Sequence, residues 1–360
     1  MPHPDSTSAA VPSATDSRAQ APSLEVHVPI SPTPMFLRQV WALAASLRRF
    51  GGEVGREATV TAWVSPELPE RIDLHAANPW ARELGVDFRW VDQALFERHW
   101  YWGTAMARWD AADYRADVVL MLDADVLVCG SLDELVADLL AAPAVAGLPA
   151  HMSPYDETRW RELFACAELP APALDCAPSG AGFFPEARDQ RMPPYFNLGV
   201  IAAPRELMRR LGTGLVAEME RVNAFEESYY RCQLAIPLAL ARQALPWRAL
   251  DARWNFPNDR HFEQALPDAA ADVRLLHYLR VGDAVSKSRD FNDAAAYAAL
   301  LARDGLVGTD ALLQRRLREL GGCPLDAVAE APPEAPPEAP PEAPPAAPWW
   351  RRVLRQLTPS

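Results

Sequence analysis

Short apolar runs alternate with amphipathic stretches along the N-terminal part of the chain. The runs predict strands at "EVHVPI" (25–30), "ATVTAWV" (58–64), "VDFRWV" (86–91) and in the run that ends at Asp123. Helices are predicted after the first strand and near Tyr101–Asp113. Strands that alternate with helices form mostly parallel sheets covered by helices on both faces, so we expect an α/β fold.

The first helix has clear start and stop signals in "SPTPMFLRQVWALAASLRRFGG". Thr33 can cap its N-terminus, Pro34 suits the first turn, and Gly51-Gly52 end it. The spacing of its apolar residues predicts one buried stripe, formed by Leu37, Val40, Trp41, Ala44 and Leu47.

The pattern continues with less regularity in the C-terminal half. In "GSLDEL", Ser131 and Glu134 have the spacing of a capping box, which predicts a helix start at Ser131. Strands are expected at "YFNLGVIAA" (195–203) and "VRLLHYL" (273–279), and helices at 205–222, at 229–244 and in stretches up to about 320. The Pro-rich stretch 169–194 is too long for a simple connection and suits a mobile lid or an acceptor loop.

Both ends of the chain have a composition that does not support a packed core. Residues 1–22 are rich in Ala, Ser and Pro without helical or strand periodicity, and "EAPPEAPPEAPPEAPPAAP" is low-complexity and polyproline-like. We therefore expect four parts: a disordered arm (1–22), one large domain (23–325), a Pro/Glu-rich linker (326–347) and a short basic amphipathic segment (348–360).

The terminal segment "PWWRRVLRQLTPS" has its apolar residues on one helical face and its arginines away from that face. Such a segment can lie on an anionic membrane surface or dock in a groove of a protein partner, and it can also be a free end. A helix this short is marginal alone and would fold only on binding. The linker would keep it clear of the domain.

Composition narrows the classes of partner and compartment. The chain has 360 residues, 49% hydrophobic, and a net charge of −13, and the predicted domain has no basic run interleaved with aromatics, so a nucleic-acid partner is not expected. Its five cysteines show no metal-binding or disulfide spacing, and no apolar stretch could span a bilayer or serve as a signal peptide. We expect a cytoplasmic protein, with the terminal segment allowing peripheral attachment to the inner face of the membrane.

Two carboxylates follow the apolar run Val118–Leu122, which predicts a strand buried on both faces. Burying a carboxylate without a partner is costly, so Asp123 and Asp125 need compensation. If the backbone leaves the pleat there, both side chains can turn toward one point and bind Mg²⁺ or Mn²⁺, which keeps open positions for a diphosphate. This end of the strand is also where such sheets bind ligands. The alternative is that one aspartate caps the following turn and the other is solvated.

The segment "VVLMLDADVLVCGSLDEL" resembles the DxD segment of GT-A-fold glycosyltransferases, and especially that of glycosyltransferase family 8, the glycogenin-like and bacterial lipopolysaccharide hexosyltransferase group. Three further segments are similar to this family in the same order: "YFNLGVIAA", "WRALDARWNF" and "LLHYL". The likeness extends in patches over about residues 24–280. It implies a GT-A, Rossmann-like, mostly parallel central sheet flanked by helices.

The resemblance also assigns roles to single residues. His277 of "LLHYL" matches the family's third metal ligand, beside Asp123 and Asp125. Arg108 matches an arginine that reaches the nucleotide sugar. Asn197 and Gln233 are then expected to orient the acceptor or the sugar hydroxyls. Without the resemblance, a histidine in an apolar strand is more often a hydrogen-bonded core residue, and a strand-start asparagine often only satisfies backbone groups.

Two departures from the family pattern concern the reacting face and the diphosphate. Cys232 stands where members carry Asp before Gln, so only Gln233 is retained in "YYRCQLAIPLAL". After His277, the Lys-Pro-Trp pattern is replaced by "RVGDAVSKSRDF", with a longer gap. Gly282 and Lys287 are the residues of this stretch that could approach the diphosphate, although Lys287 would also be unexceptional as a solvated surface lysine.

The expected function is therefore metal-dependent transfer of a hexose from a nucleoside diphosphate sugar, with a UDP-sugar as the expected donor, to an unknown glycan, lipid or protein acceptor. The resemblance implies retention at the anomeric carbon. Two alternatives stay open at this point. One is a non-catalytic interaction protein on the same fold, and the other is a haloacid dehalogenase-type phosphatase, in which the first Asp of a DxD is phosphorylated.

Overall fold

The computed structural model describes residues 21–67, 71–109, 113–279 and 284–327. The chain divides into two units, Met1–Asp326 and Ala327–Ser360, and the first of them contains both sheets of the fold. The predicted arm, apart from residues 21 and 22, and the linker and terminal segment beyond residue 327 lie outside the described residues.

Ten strands are formed in the described part of the chain. They are β1 (Leu24–Ile30), β2 (Thr59–Val64), β3 (Val86–Trp90), β4 (Val118–Leu122), β5 (Val126–Val128), β6 (Val145–Pro149), β7 (Phe196–Pro204), β8 (Trp247–Ala249), β9 (Phe256–Pro257) and β10 (Leu275–His277).

The described residues also form sixteen α-helices and three short 3₁₀ helices. The α-helices are α1 (Pro34–Phe50), α2 (Gly52–Glu57), α3 (Leu74–Ala77), α4 (Trp80–Glu83), α5 (Gln93–His99), α6 (Tyr101–Ala107), α7 (Asp133–Ala141), α8 (Glu157–Cys166), α9 (Arg205–Gly212), α10 (Leu215–Phe225), α11 (Arg231–Arg242), α12 (Arg260–Ala265), α13 (Pro267–Ala271), α14 (Lys287–Asp290), α15 (Ala294–Ala302) and α16 (Gly308–Leu320).

Seven strands form the central sheet, in the order β3-β2-β1-β4-β7-β6-β8. The first four are mutually parallel, β7 is antiparallel to both β4 and β6, and β8 is parallel to β6. The prediction of a mostly parallel α/β sheet flanked by helices is thus confirmed. β4 lies in the middle and is buried along its whole length, as expected for a strand between two layers of helices.

A second sheet of three short strands, β5-β10-β9, adjoins the end of β4. β5 is antiparallel to β10, with Val126 opposite His277, whereas β9 runs parallel to β10, with Pro257 opposite His277. The chain leaves the central sheet after β4 and enters this small sheet at β5. The residues between the two strands, 123–125, therefore lie where the two sheets meet.

The first helix follows its sequence signals closely. The Thr33 side chain accepts a hydrogen bond from the Phe36 N–H, Pro34 is the first helical residue, and Gly51 ends the helix. The predicted stripe is buried and packs into the main apolar cluster together with β1, β2 and β4.

Three local predictions are corrected. The helix expected at Ser131 begins at Asp133 instead, and Ser131 Oγ accepts a hydrogen bond from the Asp133 N–H rather than forming a capping box. Glu134 does not reach back to the helix start, because it pairs with Arg253. The single helix predicted over 205–222 is two helices, α9 and α10, because Gly214 adopts φ 79°, a left-handed conformation that interrupts the helix.

No helix among the described residues is both long and apolar enough to cross a membrane. All five cysteines are free thiols, and Cys166 is the exposed one.

Candidate metal and donor site

The turn between β4 and β5 positions the two aspartates. The Asp123 N–H donates to the Gly199 carbonyl of β7 at 3.1 Å, and the Asp125 carbonyl accepts from the Tyr278 N–H at 2.9 Å. These two hydrogen bonds hold the backbone where it leaves the pleat of β4. The sequence predicted a metal site on the condition that the backbone leaves the pleat at this point. The two carboxylates can then point toward the same place from positions two residues apart.

Asp123, Asp125 and His277 form a group that could hold a divalent metal. Each offers one ligand atom, and the three atoms lie within 4.8 Å of one another. His277 Nε2 is 3.4 Å from Asp125 Oδ1 and 4.0 Å from Asp123 Oδ2. Two carboxylate oxygens and one imidazole nitrogen are suitable donors for Mn²⁺ or Mg²⁺, and Asp123, whose side chain is 34% exposed, leaves the group open to solvent on one side.

Asp125 is the buried member of this group. Its second oxygen, Oδ2, contacts the ammonium of Lys287. Burial alone would raise the pKa of Asp125, but the charges and hydrogen bonds of His277 and Lys287 outweigh it and hold this pKa well below its ordinary value. Asp125 is therefore ionised at neutral pH, as a metal ligand must be.

Lys287 is the only lysine of the chain, and it lies at the start of α14 with its side chain 36% exposed. Burial lowers its pKa, but the charge and hydrogen bond of Asp125, together with the charge of Asp123, raise this pKa above its ordinary value, so the side chain stays charged. Asp290 anchors the same helix by accepting hydrogen bonds from the Ser286 N–H and from Arg289 and Arg303. Burial would raise the pKa of Asp290, yet these partners hold it at about 2.

Arg108 follows α6 and is fully buried beneath the turn. Its Nη1 donates to the Leu122 carbonyl at 2.6 Å and lies 3.3 Å from Asp123 Oδ1, while Nη2 donates to the Leu198 carbonyl. It therefore ties the ends of β4 and β7 together and compensates the charge of Asp123. Burial lowers the pKa of Arg108, and Asp123 counteracts this shift. Its Nε has no hydrogen-bond partner among the described residues.

A chain of amide side chains orients His277. Asn197 Oδ1 accepts from the Gly199 N–H at 2.9 Å, so this atom must be an oxygen, and it also accepts from Asn255 Nδ2 at 3.0 Å. Asn255 therefore presents its own Oδ1 to His277 Nδ1, at 3.0 Å. An oxygen at this place requires a proton on Nδ1, so a neutral His277 ring would offer its Nε2 lone pair to a metal held by the two aspartates.

Cys232 and Gln233, which the sequence places on the reacting face, both lie in the first turn of α11. The Gln233 side chain lies close to the buried hydroxyl of Tyr195, and no hydrogen bond or ion pair joins it to the aspartates among the described residues. Cys232 is buried, with Sγ 3.8 Å from the Trp102 carbonyl, and burial raises the pKa of its thiol to about 12, so it cannot replace an Asp as an ionised group. Gly282 lies outside the described residues.

The sequence patterns predict no role for Asn255 or Gly199. Both stand inside segments that carry the family resemblance, "WRALDARWNF" and "YFNLGVIAA". Gly199 is needed because a Cβ atom there would overlap Cε1 and Nδ1 of His277. The sequence did contain one signal for this role of Gly199. A glycine inside a strand often marks a place where another group approaches the backbone closely, and Gly199 stands inside a predicted strand, two residues after Asn197.

The structure is similar to that of an active-site mutant of LgtC, with a TM-score of 0.51 and 17% identity over 83% of this chain and 97% of that chain. Lower scores link it to the galactosyltransferase LgtC with donor and acceptor sugar analogues (0.48; 17% identity; 82% and 95% covered) and to mouse xyloside xylosyltransferase 1 (0.43; 14% identity; 71% and 98% covered). None of the curated proteins compared with the chain matches it significantly.

The first of these likenesses shows that the fold is GT-A, as the resemblance in the sequence implied. A family model described as the Rhodobacterales glycosyltransferase domain matches residues 32–247, which is more than half of the chain and includes β2 to β4, the turn with both aspartates, and β7. The chain belongs to this family and is a glycosyltransferase with the GT-A fold.

Proposed function

We propose that this glycosyltransferase moves a hexose from a nucleoside diphosphate sugar, with a UDP-sugar as the expected donor, and that it needs a divalent cation to do so. The observation that carries the proposal is the convergence of Asp123, Asp125 and His277 at the junction of the two sheets. A diphosphate is the donor part that such a group would bind, because it offers oxygens to a cation held by carboxylates.

The residues of the chain have separate tasks in this proposal. Asp123, Asp125 and His277 would hold Mn²⁺ or Mg²⁺, which when bound acts as a Lewis acid on the diphosphate. Lys287 brings a charged ammonium to the same place, where it can stabilise the negative charge that the leaving diphosphate gains. Arg108 is buried and bonded to two backbone carbonyls, so its task is to hold Asp123 rather than to move toward the donor.

Gln233 and Asn197 were expected to orient the acceptor or the sugar. Asn197 acts on the metal group indirectly. It accepts a hydrogen bond from Asn255, whose Oδ1 fixes the ring of His277. Gln233 lies in the first turn of α11 with its side chain close to the Tyr195 hydroxyl, and we propose that it meets the sugar hydroxyls from there. Retention at the anomeric carbon stays part of the proposal, as does a cytoplasmic enzyme that the terminal segment, 348–360, can attach to a membrane surface or a protein partner.

The two alternative functions are not favoured. A haloacid dehalogenase-type phosphatase would use the DxD at the start of its fold, whereas here three parallel strands precede it, and the family of the domain is that of a glycosyltransferase. A non-catalytic interaction protein is not favoured because the family matched over residues 32–247 is that of a glycosyltransferase.

The proposal is tested by a thermal-shift screen of uridine, guanosine and thymidine diphosphate sugars, with and without Mn²⁺. We expect one nucleotide to raise the melting temperature by a few degrees, because a ligand at about 100 times its Kd adds about 2.7 kcal/mol of stability. This shift should need Mn²⁺ or Mg²⁺. Equal shifts in a chelator, or no shift with any sugar nucleotide at millimolar concentration, would count against a metal-dependent donor site.

The orienting role of Asn255 gives a second prediction. Asn255→Ala removes the acceptor that fixes His277 Nδ1, and we expect the Mn²⁺ affinity to fall about 10- to 100-fold. Asn255→Asp keeps an oxygen at this place and should bind Mn²⁺ better than the alanine variant does. Isothermal titration with Mn²⁺ alone measures both values.

The matched control for this experiment is Asn78→Ala. Asn78 is also buried, donates to the Leu74 carbonyl and accepts from Trp80 Nε1, but it lies between α3 and α4, away from the site. The Asn78→Ala variant should be less stable than the unchanged protein and should keep its Mn²⁺ affinity. Equal Mn²⁺ affinity in the Asn255→Ala variant and the unchanged protein would show that the amide chain has no part in metal binding.

A further inference from the structure

Helix α14 brings Lys287 to the metal group, but the helix cannot hold its own position. It consists of four residues, "KSRD", and none of them is apolar. A single helical turn is not stable alone, so contacts outside the helix must fix it. The buried residues Val285 and Phe291 flank it, and within it the one buried side chain is Asp290, which is 1% exposed. The contacts of Asp290 therefore bear directly on where Lys287 lies.

Asp290 is the centre of a closed set of hydrogen bonds. Its Oδ2 accepts from the Ser286 N–H at 2.7 Å, while its own N–H donates to the Ser286 carbonyl at 2.8 Å. Arg289 Nε and Arg303 Nη2 donate to Asp290 Oδ1 at 2.9 and 2.7 Å. Both arginines also donate to the Ala284 carbonyl. We call these five residues, Ala284, Ser286, Arg289, Asp290 and Arg303, the Asp290 clamp.

Arg303 connects the Asp290 clamp to the core of the domain. It follows α15, and its carbonyl accepts from Gln314 Nε2 of α16 at 2.6 Å. Gln314 is buried and donates to the Leu300 carbonyl of α15 as well, at 2.8 Å. Both helices pack into the main apolar cluster, through Leu300 and Leu313 among others. Arg303 therefore transmits the position of the core to the short helix that carries the lysine.

Buried charges hold this helix where apolar side chains could have done so. Replacing a buried ion pair by apolar residues is often neutral or even stabilising, so stability alone does not call for such a cluster. Its hydrogen bonds have preferred directions and lengths, and they define the position of the backbone more closely than apolar contacts do. Lys287 has a long, flexible side chain whose ammonium contacts Asp125 Oδ2. A fixed backbone limits the region that this ammonium can reach.

We propose that Asp290 and Arg303 are positioning residues for sugar transfer and that they act through Lys287. The inference rests on the proposed function, in which the lysine stabilises the negative charge that the leaving diphosphate gains. In the described part of the chain, no hydrogen bond or ion pair joins Asp290 or Arg303 to a candidate metal ligand. Their loss should therefore leave the metal group intact and displace the lysine. Because the charge on the diphosphate grows toward the transition state, kcat should fall by a larger factor than the donor KM rises.

The first measurement depends on Lys287 being the only lysine of the chain. The full chain, labelled with ¹³C at Cε of lysine, gives a single lysine signal by NMR, and the loss of this signal in Lys287→Met confirms its assignment. In the unchanged protein with Mg²⁺, we expect the signal to lie away from that of free lysine. It should move toward the free-lysine position in Asp290→Asn and in Arg303→Met. Arg303→Met serves alone if Asp290→Asn does not fold, because Asp290 then keeps its bonds to Ser286 and Arg289.

The second measurement is turnover of the sugar nucleotide found in the donor screen, followed as nucleotide release with water as the acceptor. Asp290→Asn and Arg303→Met should each lower kcat about 10-fold or more, and Mn²⁺ affinity without donor should stay the same. Lys287→Met should lower kcat about 100-fold. Adding Asp290→Asn to Lys287→Met should change kcat by less than about twofold, because the residue through which Asp290 acts is gone. A merely structural role of Asp290 would lower kcat by the same factor in both backgrounds.

Glu218→Gln is the matched control for the loss of a buried carboxylate. The Glu218 side chain is 2% exposed and pairs with two arginines, Arg221 of α10 and Arg242 of α11, as Asp290 pairs with two. The Glu218→Gln variant should be less stable than the unchanged protein. Its lysine signal and its kcat should not change.

Two results would overturn the inference. One is a lysine signal that stays in place in both Asp290→Asn and Arg303→Met. The other is an equal loss of kcat on adding Asp290→Asn with and without Lys287. If the signal moves as expected but the unchanged protein releases no nucleotide from any sugar nucleotide of the screen, the proposed function has failed, whereas the control of Lys287 by the Asp290 clamp is upheld.

Discussion

Asp125→Asn is expected to lower the rate of sugar transfer, measured as kcat/KM for the donor, by about 10³-fold or more. The change keeps the shape of the side chain but removes the charge that a cation and Lys287 both require. Each tenfold in rate corresponds to about 1.4 kcal/mol of transition-state stabilisation, and a metal that polarises a phosphoryl oxygen contributes several times this amount. Mn²⁺ affinity, measured by titration without donor, should fall with the rate.

The fold should survive this substitution. Asp125 also accepts a backbone hydrogen bond from Tyr278 through its carbonyl, which Asn retains. Removing a buried negative charge leaves the ammonium of Lys287 without its partner, but this side chain is partly exposed and can turn to water. We therefore expect a change in melting temperature of only a few degrees in the absence of metal.

Asp133→Asn is the matched control for the loss of a structural carboxylate. Asp133 accepts from the N–H groups of Glu53 and Val54 at 3.1 and 2.9 Å, and so joins α7 to α2 without contacting any candidate ligand. The Asp133→Asn variant should be less stable than the unchanged enzyme and should keep its Mn²⁺ affinity and its activity. If Asp125→Asn transfers sugar within tenfold of the unchanged enzyme, or binds Mn²⁺ equally well, the metal hypothesis for this turn is wrong.

The sequence allowed the sheet and the aspartate turn to be predicted because both are recorded in short-range patterns. Buried parallel strands are apolar runs of a few residues, and β1 to β4 each stand within a residue or two of the predicted positions. Asp123 and Asp125 interrupt such a run, and a charge at the end of a buried strand requires an explanation. His277 was assigned through the resemblance, since a single histidine in a strand predicts nothing specific by itself.

The parts that the sequence did not predict depend on contacts between distant segments. Asn255 orients His277 because β9 lies beside β10 in the small sheet, and no local pattern records this pairing. The hydrogen bond from Trp102 Nε1 in α6 to the Tyr229 carbonyl before α11 joins segments that are more than a hundred residues apart in the chain. Gly214 divides α9 from α10, although a glycine within a helical pattern is often tolerated.

Gly199→Ala is the second substitution for which we expect a large effect, and it tests the packing behind the metal group rather than the ligands. The added methyl group would overlap His277 Cε1 and lie 2.8 Å from Asn197 Oδ1, so the imidazole and the amide must both move. Overpacking of this kind costs about 1–3 kcal/mol of unfolding free energy. Because the bond between His277 and Asn255 is lost as well, Mn²⁺ affinity should fall about 10- to 100-fold.

A double-mutant cycle separates this effect from a general loss of stability. In a His277→Ala background the space occupied by the ring is free, so adding Gly199→Ala should cost clearly less unfolding free energy than it costs alone, measured by urea denaturation. Gly182→Ala is the control, since a Cβ there would meet no atom within 4 Å and should change neither stability nor Mn²⁺ affinity. Additive costs in the cycle would contradict the argument, because they would show that Gly199 is needed for a reason other than the approach of His277.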